Sequence, residues 1–516
     1  MKRVTRRTAA VFLFATTAAA GCGGSERTVT VTAPHAPVAA PSGSDLAMAS
    51  SAKPSSASSA AAAPPSMSPF QATAMQSDKA EKIARSLAQE VGPRLAGSAG
   101  DKLAVAWAVK TMTSLGFTNV HTEAVTVPVW KRGAESAEIV SPTHQSLAIV
   151  ALGWSGATPK AGVTGEVVEV GSLDALTKLS KEALKGKIVF ANVVMNRTND
   201  GTGYGAAVPL RFAGPKIAMD AGALAFVMRT VGTSEDREPH AGATALRETP
   251  KPIACGALAT ADADLLHATL AKNPDLKLRV VLTPEHLKDA QSANVVGEIP
   301  GISKKDEVIL LGAHLDSWDL ARGAIDDAAG CGIVLEGARL AAEHAKADGR
   351  AGPARTIRVV LFAAEENSGA GGKAYATAHA AEIDKHMLAI EADLGTDRVL
   401  TVRFTGAANS PFDEVARALE PLGIARKAGE AHPGSDVTPL VNAGVPTVDL
   451  RQDASRYFDL HHSVNDTEDR LDAQAMAQVS TAYAEVAYRV SELPGGLARP
   501  PVQPTPPAKI TPGAAP

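Results

Sequence analysis

The sequence predicts an α/β fold, with a central mixed, mostly parallel sheet flanked by helices. Three observations carry that expectation. From Ser292 to about Glu492, short apolar runs alternate with segments of helical period, the pattern of a sheet covered on both faces. Three of those runs, EVILL (307–311), IRVVLFA (357–363) and MLAI (387–390), are each followed closely by acids or histidines. Sites in such folds lie at the carboxyl ends of strands. Residues 131–284 have another texture, with short strand-like runs separated by Gly and Pro, and read as an insertion.

In chain order, Lys2, Arg3, Arg6 and Arg7 precede the apolar stretch Ala9–Ala20, which is too short to span a bilayer. Ala19-Ala20-Gly21-Cys22 predicts a targeting segment over 1–21 with Cys22 as a lipidated first residue, or else ordinary secretion. The protein is then exported, and it meets a membrane only through that anchor. Residues 22–69 are rich in Ser, Ala and Pro and read as a flexible tether. The ordered body starts at 70. AEKIARSLAQEV (80–91) and DKLAVAWAVKTMTSLG (101–116) have helical spacing, and NVHTEAVTVPVW (119–130) alternates like a strand. These make 70–130 the first part of the main domain. In the insertion, GEVVEV, GKIVFANVV, ALAFVMRT and LKLRVVL are the strand-like runs. The main domain resumes over 285–492, and the Pro-rich tail 493–516 is expected to be disordered.

The chain has 516 residues, enough for two or three domains, and 45% hydrophobic residues for a core. A formal charge of -4 gives no electrostatic case for nucleic-acid binding. Cys255 and Cys331 fall in different segments and read as small buried residues rather than a disulfide or a catalytic thiol.

Four clusters carry chemistry. GAHLDSWDLARGAIDDAAG (312–330) holds His314, Asp316 and Asp326-Asp327; AAEEN holds Glu365-Glu366; EAD holds Glu391 and Asp393; DLHHSVNDT holds His461, His462 and Asp466. Histidine and carboxylate at strand ends suit a divalent metal, zinc first. Asp316, two residues after His314, shares a strand face with it and could accept the other imidazole N–H, or it could be a turn residue. Glu365 and Glu366 point opposite ways in extended backbone, one to a metal and one to a water, unless both merely start a helix. Glu391 competes with Asp393 as a ligand. Asp466 either serves His462 or caps a turn. His432 and His240 lie in loops, His240 in the insertion where it could reach over the cleft, and Ser435 and Asp436 order the cleft floor.

HLDSWD, GAIDDAAG, AAEE, EADLGT, HPGSDV and HHSVNDT, in that order, resemble the co-catalytic zinc exopeptidases, the family of bacterial leucine-type aminopeptidases and glutamate carboxypeptidase. VGPRLAGSAG, NVHTEAVTVPVW and KRGAESAEIV are most similar to its plasma glutamate carboxypeptidase branch, and the likeness runs from Ser77 to Glu492. The resemblance implies that the insertion is a β-rich protease-associated domain and that the chain holds two zinc ions. It implies His314 on one metal, Asp326 bridging both, Glu366 and Asp393 on different metals, and His462 as the last ligand. It implies Glu365 as general base, Asp316 orienting His314, and a cis Asp326-Asp327 bond with Asp327 off the metals. His461 stands where many relatives carry a tyrosine, and it is the first candidate to support the oxyanion, Tyr457 the second. The implied activity is hydrolysis of short unblocked peptides, by an aminopeptidase or a dipeptidase, with a homodimer plausible from the family. A non-catalytic binding protein and a one-zinc glutaminyl cyclase share the fold, and the complete ligand set disfavours both.

Overall fold

Two long strands set the architecture. In the computed structural model, which describes residues 66–405 and 410–503, β1 (Thr118–Lys131) runs antiparallel to β2 (Glu285–Ile299), with Lys131 opposite Glu285. Everything between those two residues hangs from the end of one ribbon, so the central sheet stays continuous across the insertion. The sheet continues with β3 (Lys304–His314), β4 (Arg355–Phe362) and β5 (His386–Glu391), in the order β1-β2-β4-β3-β5. Only the β4/β3 and β3/β5 pairings are parallel; β1/β2 and β2/β4 are antiparallel. The sheet is therefore mixed but not mostly parallel, because the ribbon that carries the insertion supplies one half of it.

Both faces of β3, β4 and β5 are largely buried, which explains their unbroken apolar runs, whereas β1 alternates and the first half of β2 is exposed. Along β3, Ile309, Leu311 and Ala313 join the larger core, while Val308 and Leu310 join a smaller one on the other face. β4 divides the same way, with Ile357, Val359 and Leu361 opposite Val360 and Phe362. The larger core is closed by helices α1 (Lys79–Glu90), α2 (Ala99–Ser114), α3 (Ala329–Ala347) and α4 (Ala473–Glu492). Ser98 starts α2 by accepting the Asp101 N–H, and Asp472 starts α4 by accepting from Gln474 and Ala475. Short helices Ala370–Ala378 and Thr438–Asn442 cover the other face.

The described residues, 66–405 and 410–503, form one compact unit. The second sheet has eight strands, all between Glu135 and Leu282. Four of them, Val163–Val170, Ile188–Ala191, Ala225–Arg229 and Ala254–Leu258, run parallel side by side, and helices Thr202–Asp220 and Thr260–Lys272 accompany them. This segment is thus α/β in texture rather than simply β-rich. A third sheet of three strands joins Val399–Phe404, Ala425–Arg426 and Val448–Gln452. The described tail packs on the body despite its proline content: Leu497 is buried, and Arg499 donates to the carbonyls of Ile383, Asp384, His386 and Gly444. Cys255 and Cys331 are buried and free. The expected targeting segment, the Cys22 anchor, nearly all of the tether and the end of the tail lie outside the described residues. Among the described residues no helix is long and apolar enough to cross a membrane.

Candidate active site

Parallel β3 and β4 end level with each other, His314 opposite Phe362, and β5 ends beside them at Glu391. One edge of the sheet therefore delivers His314, Glu365-Glu366 and Asp393 together. Two loops, at 324–328 and 457–462, bring Asp326 and the histidine pair. His314 Nε2 lies 3.1 Å from Asp326 Oδ1 and 3.7 Å from Asp393 Oδ1. His462 Nε2 lies 2.9 Å from Glu366 Oε2 and 3.3 Å from Asp326 Oδ2. Asp326 thus turns one oxygen to each histidine, and each histidine has a second carboxylate of its own. The His461 ring stacks on His462 with centroids 3.5 Å apart, its Nε2 3.6 Å from Asp326 Oδ2.

Backbone N–H groups hold these carboxylates and their neighbours. Asp327 accepts from His314 N and Gly330 N, so both its oxygens are engaged, and the Asp326-Asp327 peptide is cis. Asp466 accepts from Ile325 N at 2.5 Å and Asp326 N at 3.3 Å; it fixes the segment that carries Asp326 and serves neither as a partner of His462 nor as a simple turn cap. Glu391 accepts from Asp436 N and Val437 N, so it orders the cleft floor while Asp393 faces His314. Asp436 accepts from Gly372 N. Arg94, from the VGPRLAGSAG run, is fully buried and donates to the carbonyls of Leu315, Arg322 and Gly323, which shapes the loop between His314 and Asp326.

Two expected geometries differ. β3 stops at His314, so Asp316 is past the strand. Its backbone carbonyl, at 3.1 Å, is nearest His314 Nδ1, its carboxylate is 3.7 Å away, and Asp316 Oδ1 instead accepts from Glu365 N at 2.9 Å. Asp316 thereby ties the first strand end to the second. Glu365 and Glu366 are not extended: they open the short helix Glu365–Ser368, behind Ala364 at φ 57. Glu366 is buried and Glu365 half-buried, so they are not two exposed helix-starting acids.

The donor set suits a divalent cation. Asp326 Oδ2 is buried with no hydrogen-bond partner among the described residues, although two imidazoles crowd it. Burial, with Asp326 beside it, raises Glu366 well above the usual carboxylate range, and burial also raises Asp393. Asp326, against its burial, is held low by His314 and His462. Burial drives His461 and His462 well below the ordinary histidine value, which leaves neutral imidazoles of the kind that bind metals. Burial pushes the Glu365 carboxyl up to about 7, with Asp393 adding to the rise and His314 opposing it. Donor atoms of His314, Asp326 and Glu366 fall within 4.8 Å of one another, as do those of Asp326, His461 and His462. Mixed imidazole and carboxylate donors are a zinc-type set.

Residues 294–487 match the model of peptidase family M28. Carboxypeptidase Q of Mus musculus is 34% identical over 80% of this chain and 86% of its own length; the Homo sapiens protein is 33% identical over 80% and 85%. The chain belongs to peptidase family M28. Its class is therefore that of the zinc-dependent peptidases. A peptidase M28 precursor from Shewanella amazonensis SB2B has the same fold at TM-score 0.79 and 40% identity, over 84% of this chain and 98% of that one. An aminopeptidase from Aneurinibacillus sp. strain AM-1 shares the fold at TM-score 0.58 and 22% identity, over 84% and 98%.

In this M28 chain the insertion supplies one wall of the site. A cavity of about 570 Å³ is lined by Glu365, Asp393 and His461 on one side and by Trp154, Tyr204 and Arg211 on the other. Trp154 is pinned by its Nε1–H to the Asn367 carbonyl at 2.7 Å. Arg211 is buried; its Nη2 donates to Tyr204 Oη at 2.6 Å, while Nε and Nη1 have no acceptor among the described residues. Gly242 makes room for that guanidinium, since a Cβ there would stand 2.4 Å from Arg211 Cζ. Neither Tyr204 nor Arg211 was expected from sequence. The signal for Arg211 is its place on the buried stripe of its helix, four after Ala207 and three before Gly214. Of the two oxyanion candidates, His461 lines this cavity, whereas the Tyr457 hydroxyl lies 3.4 Å from Asp393 Oδ1. Tyr457 lines the neighbouring hollow instead.

Proposed function

We propose that this protein is a di-zinc dipeptidase acting on dipeptides with a free amine and a free carboxylate. The observation that carries the dipeptide preference is Arg211. A buried guanidinium with two donor nitrogens unused among the described residues, in the same cavity as Glu365, is costly unless an anion meets it. The carboxylate of a substrate one residue past the scissile bond has the right charge and planar shape. The cavity volume suits a small ligand.

His314 and Asp393 would hold one metal, His462 and Glu366 the other, with Asp326 shared. Bound zinc supplies Lewis-acid polarisation of the scissile carbonyl and of the attacking water. Glu365, near neutrality, takes a proton from that water and returns it to the leaving amine. Asp316 keeps Glu365 in register by accepting its backbone N–H. The Tyr204 hydroxyl accepts from Arg211, which leaves its own hydrogen free for the cleft. His461 is the donor beside the developing oxyanion.

A panel of dipeptides, tripeptides, dipeptide amides and N-acetyl dipeptides, each with and without chelator, tests the proposal through amino-acid release. Chelator-sensitive cleavage confined to dipeptides with both ends free supports it. Equal cleavage of tripeptides and amides makes the enzyme an aminopeptidase, and no cleavage by the zinc-loaded chain makes it a binding protein.

A further inference from the structure

The insertion touches the site through backbone as well as through the cleft wall. Its 230–241 loop donates three times to the turn that carries the histidine pair. Thr233 N–H donates to the Phe458 carbonyl at 2.9 Å, and Ala241 N–H to the His462 carbonyl at 2.8 Å. Between them, His240 Nδ1–H donates to the His461 carbonyl at 2.6 Å. The His240 ring is buried and locked: its Nε2 faces Ser234 Oγ at 2.8 Å, and its backbone N–H donates to Thr230 Oγ1 at 2.7 Å. Tyr457 and Phe458 belong to the hydrophobic core of the insertion rather than to that of the main sheet.

This support answers a need specific to His462. Its φ is +62, a left-handed conformation uncommon for residues other than glycine, so the turn must be held from outside. A metal-binding histidine is ordinarily aimed by an acceptor on its other ring nitrogen. His314 has one in the Asp316 carbonyl. His462 Nδ1 is buried with no partner among the described residues. With no acceptor on that nitrogen, its ring is aimed by its packing against His461 and Trp318 and by its backbone, and the insertion grips the backbone of both histidines.

We propose that His240 is a positioning residue of the metal centre: with the Ala241 N–H it fixes the His461-His462 turn so that His462 Nε2 faces Glu366 and Asp326. The insertion is then a built part of one metal site and not only a wall of the cleft. This rests on the di-zinc reading above.

Zinc affinity of the full chain, measured by competition with a chromophoric chelator, tests it, with the thermal midpoint of each zinc-loaded variant alongside. His240→Ala should weaken one of two sites about 10- to 100-fold and leave the other within about threefold. His240→Asn, whose amide N–H can stand where Nδ1 does, should recover most of that loss. Ser234→Ala, which frees the ring without removing it, should weaken the same site by about threefold or more. Unchanged zinc affinity in His240→Ala overturns the proposal. So does an equal loss at both sites with His240→Asn no better than His240→Ala. Should His240→Ala fail to fold, His240→Asn and Ser234→Ala decide: wild-type-like binding by Asn with a one-site loss in Ser234→Ala supports it, and two unaltered sites in Ser234→Ala overturn it. No zinc on the unaltered chain would instead sink the di-zinc reading itself.

Discussion

Arg211→Met removes the guanidinium and keeps most of the side chain's apolar volume. In the unliganded protein the change forfeits one hydrogen bond, to Tyr204, and relieves two unpartnered buried donors. The thermal midpoint should therefore stay level or rise. Against a substrate carboxylate the loss is large, because removing one partner of a buried charge pair costs about 2–5 kcal/mol. That corresponds to roughly 30- to 4,000-fold in kcat/KM at 1.4 kcal/mol per tenfold. A dipeptide amide already lacks the carboxylate, so the wild-type enzyme should disfavour it by a similar factor. The assay is kcat/KM for one dipeptide and its amide, with wild type and Arg211→Met, as a cycle of four values. The variant should treat acid and amide almost alike. If it still prefers the acid as strongly as the wild type does, Arg211 does not meet the carboxylate.

Glu365→Gln should lower kcat by about 10²- to 10⁴-fold and keep the zinc content of the wild type; metal analysis beside the kinetics checks both. Chelation should abolish turnover and lower the thermal midpoint, since a bound ion stabilises only the folded chain, and added zinc should restore both. Gly330→Ala should cost fold and activity together, because a Cβ would stand 2.1 Å from the Ala392 carbonyl oxygen and 2.2 Å from Asp327 Oδ1; a soluble, active variant would contradict that packing. His386 is buried between the Tyr375 hydroxyl and the Glu382 carbonyl, and burial pushes its pKa down to about 4. A folded-state value below the unfolded 6.5 means stability is full above pH 6.5 and is lost as pH falls towards 4, by up to about 3 kcal/mol. The difference between wild-type and His386→Asn unfolding curves should shrink by that order between pH 7.5 and 4.5.

The sequence made most of this site readable because its parts are local. His314, Asp326, Glu366, Asp393 and His462 each sit at the end of an apolar run or in a compact motif, and the structure brings all five together. Geometry one step beyond those motifs was not readable. The same-face argument for Asp316 assumed a strand that continues past His314; the strand stops there, and the carboxylate turns to the Glu365 N–H instead. Strand–helix alternation predicts a mostly parallel sheet because it says nothing about β1 and β2, whose antiparallel pairing spans the whole insertion.

What the sequence hid has one physical origin. Arg211 and Tyr204, which no motif marked, and His240, legible only as a loop histidine able to reach the cleft, meet the site across about 220 to 250 positions of sequence, counted from His240 and Arg211 to His461. No local pattern encodes contacts of that range; a buried arginine announces itself only as a charge on an apolar stripe. The consequence reaches function. Hydrogen bonds from the insertion fix the turn bearing the last histidines, while its side chains line the cavity that those histidines face. A change in the insertion can therefore act in two separable ways. Loss of Arg211 should alter which substrate end is accepted and spare zinc binding. Loss of His240 should alter zinc binding at one site and, once zinc is supplied in excess, spare the preference for a free carboxylate. Measuring both quantities on both variants distinguishes the wall from the clamp, and a variant that moved the two together would mean the insertion works as one undivided support.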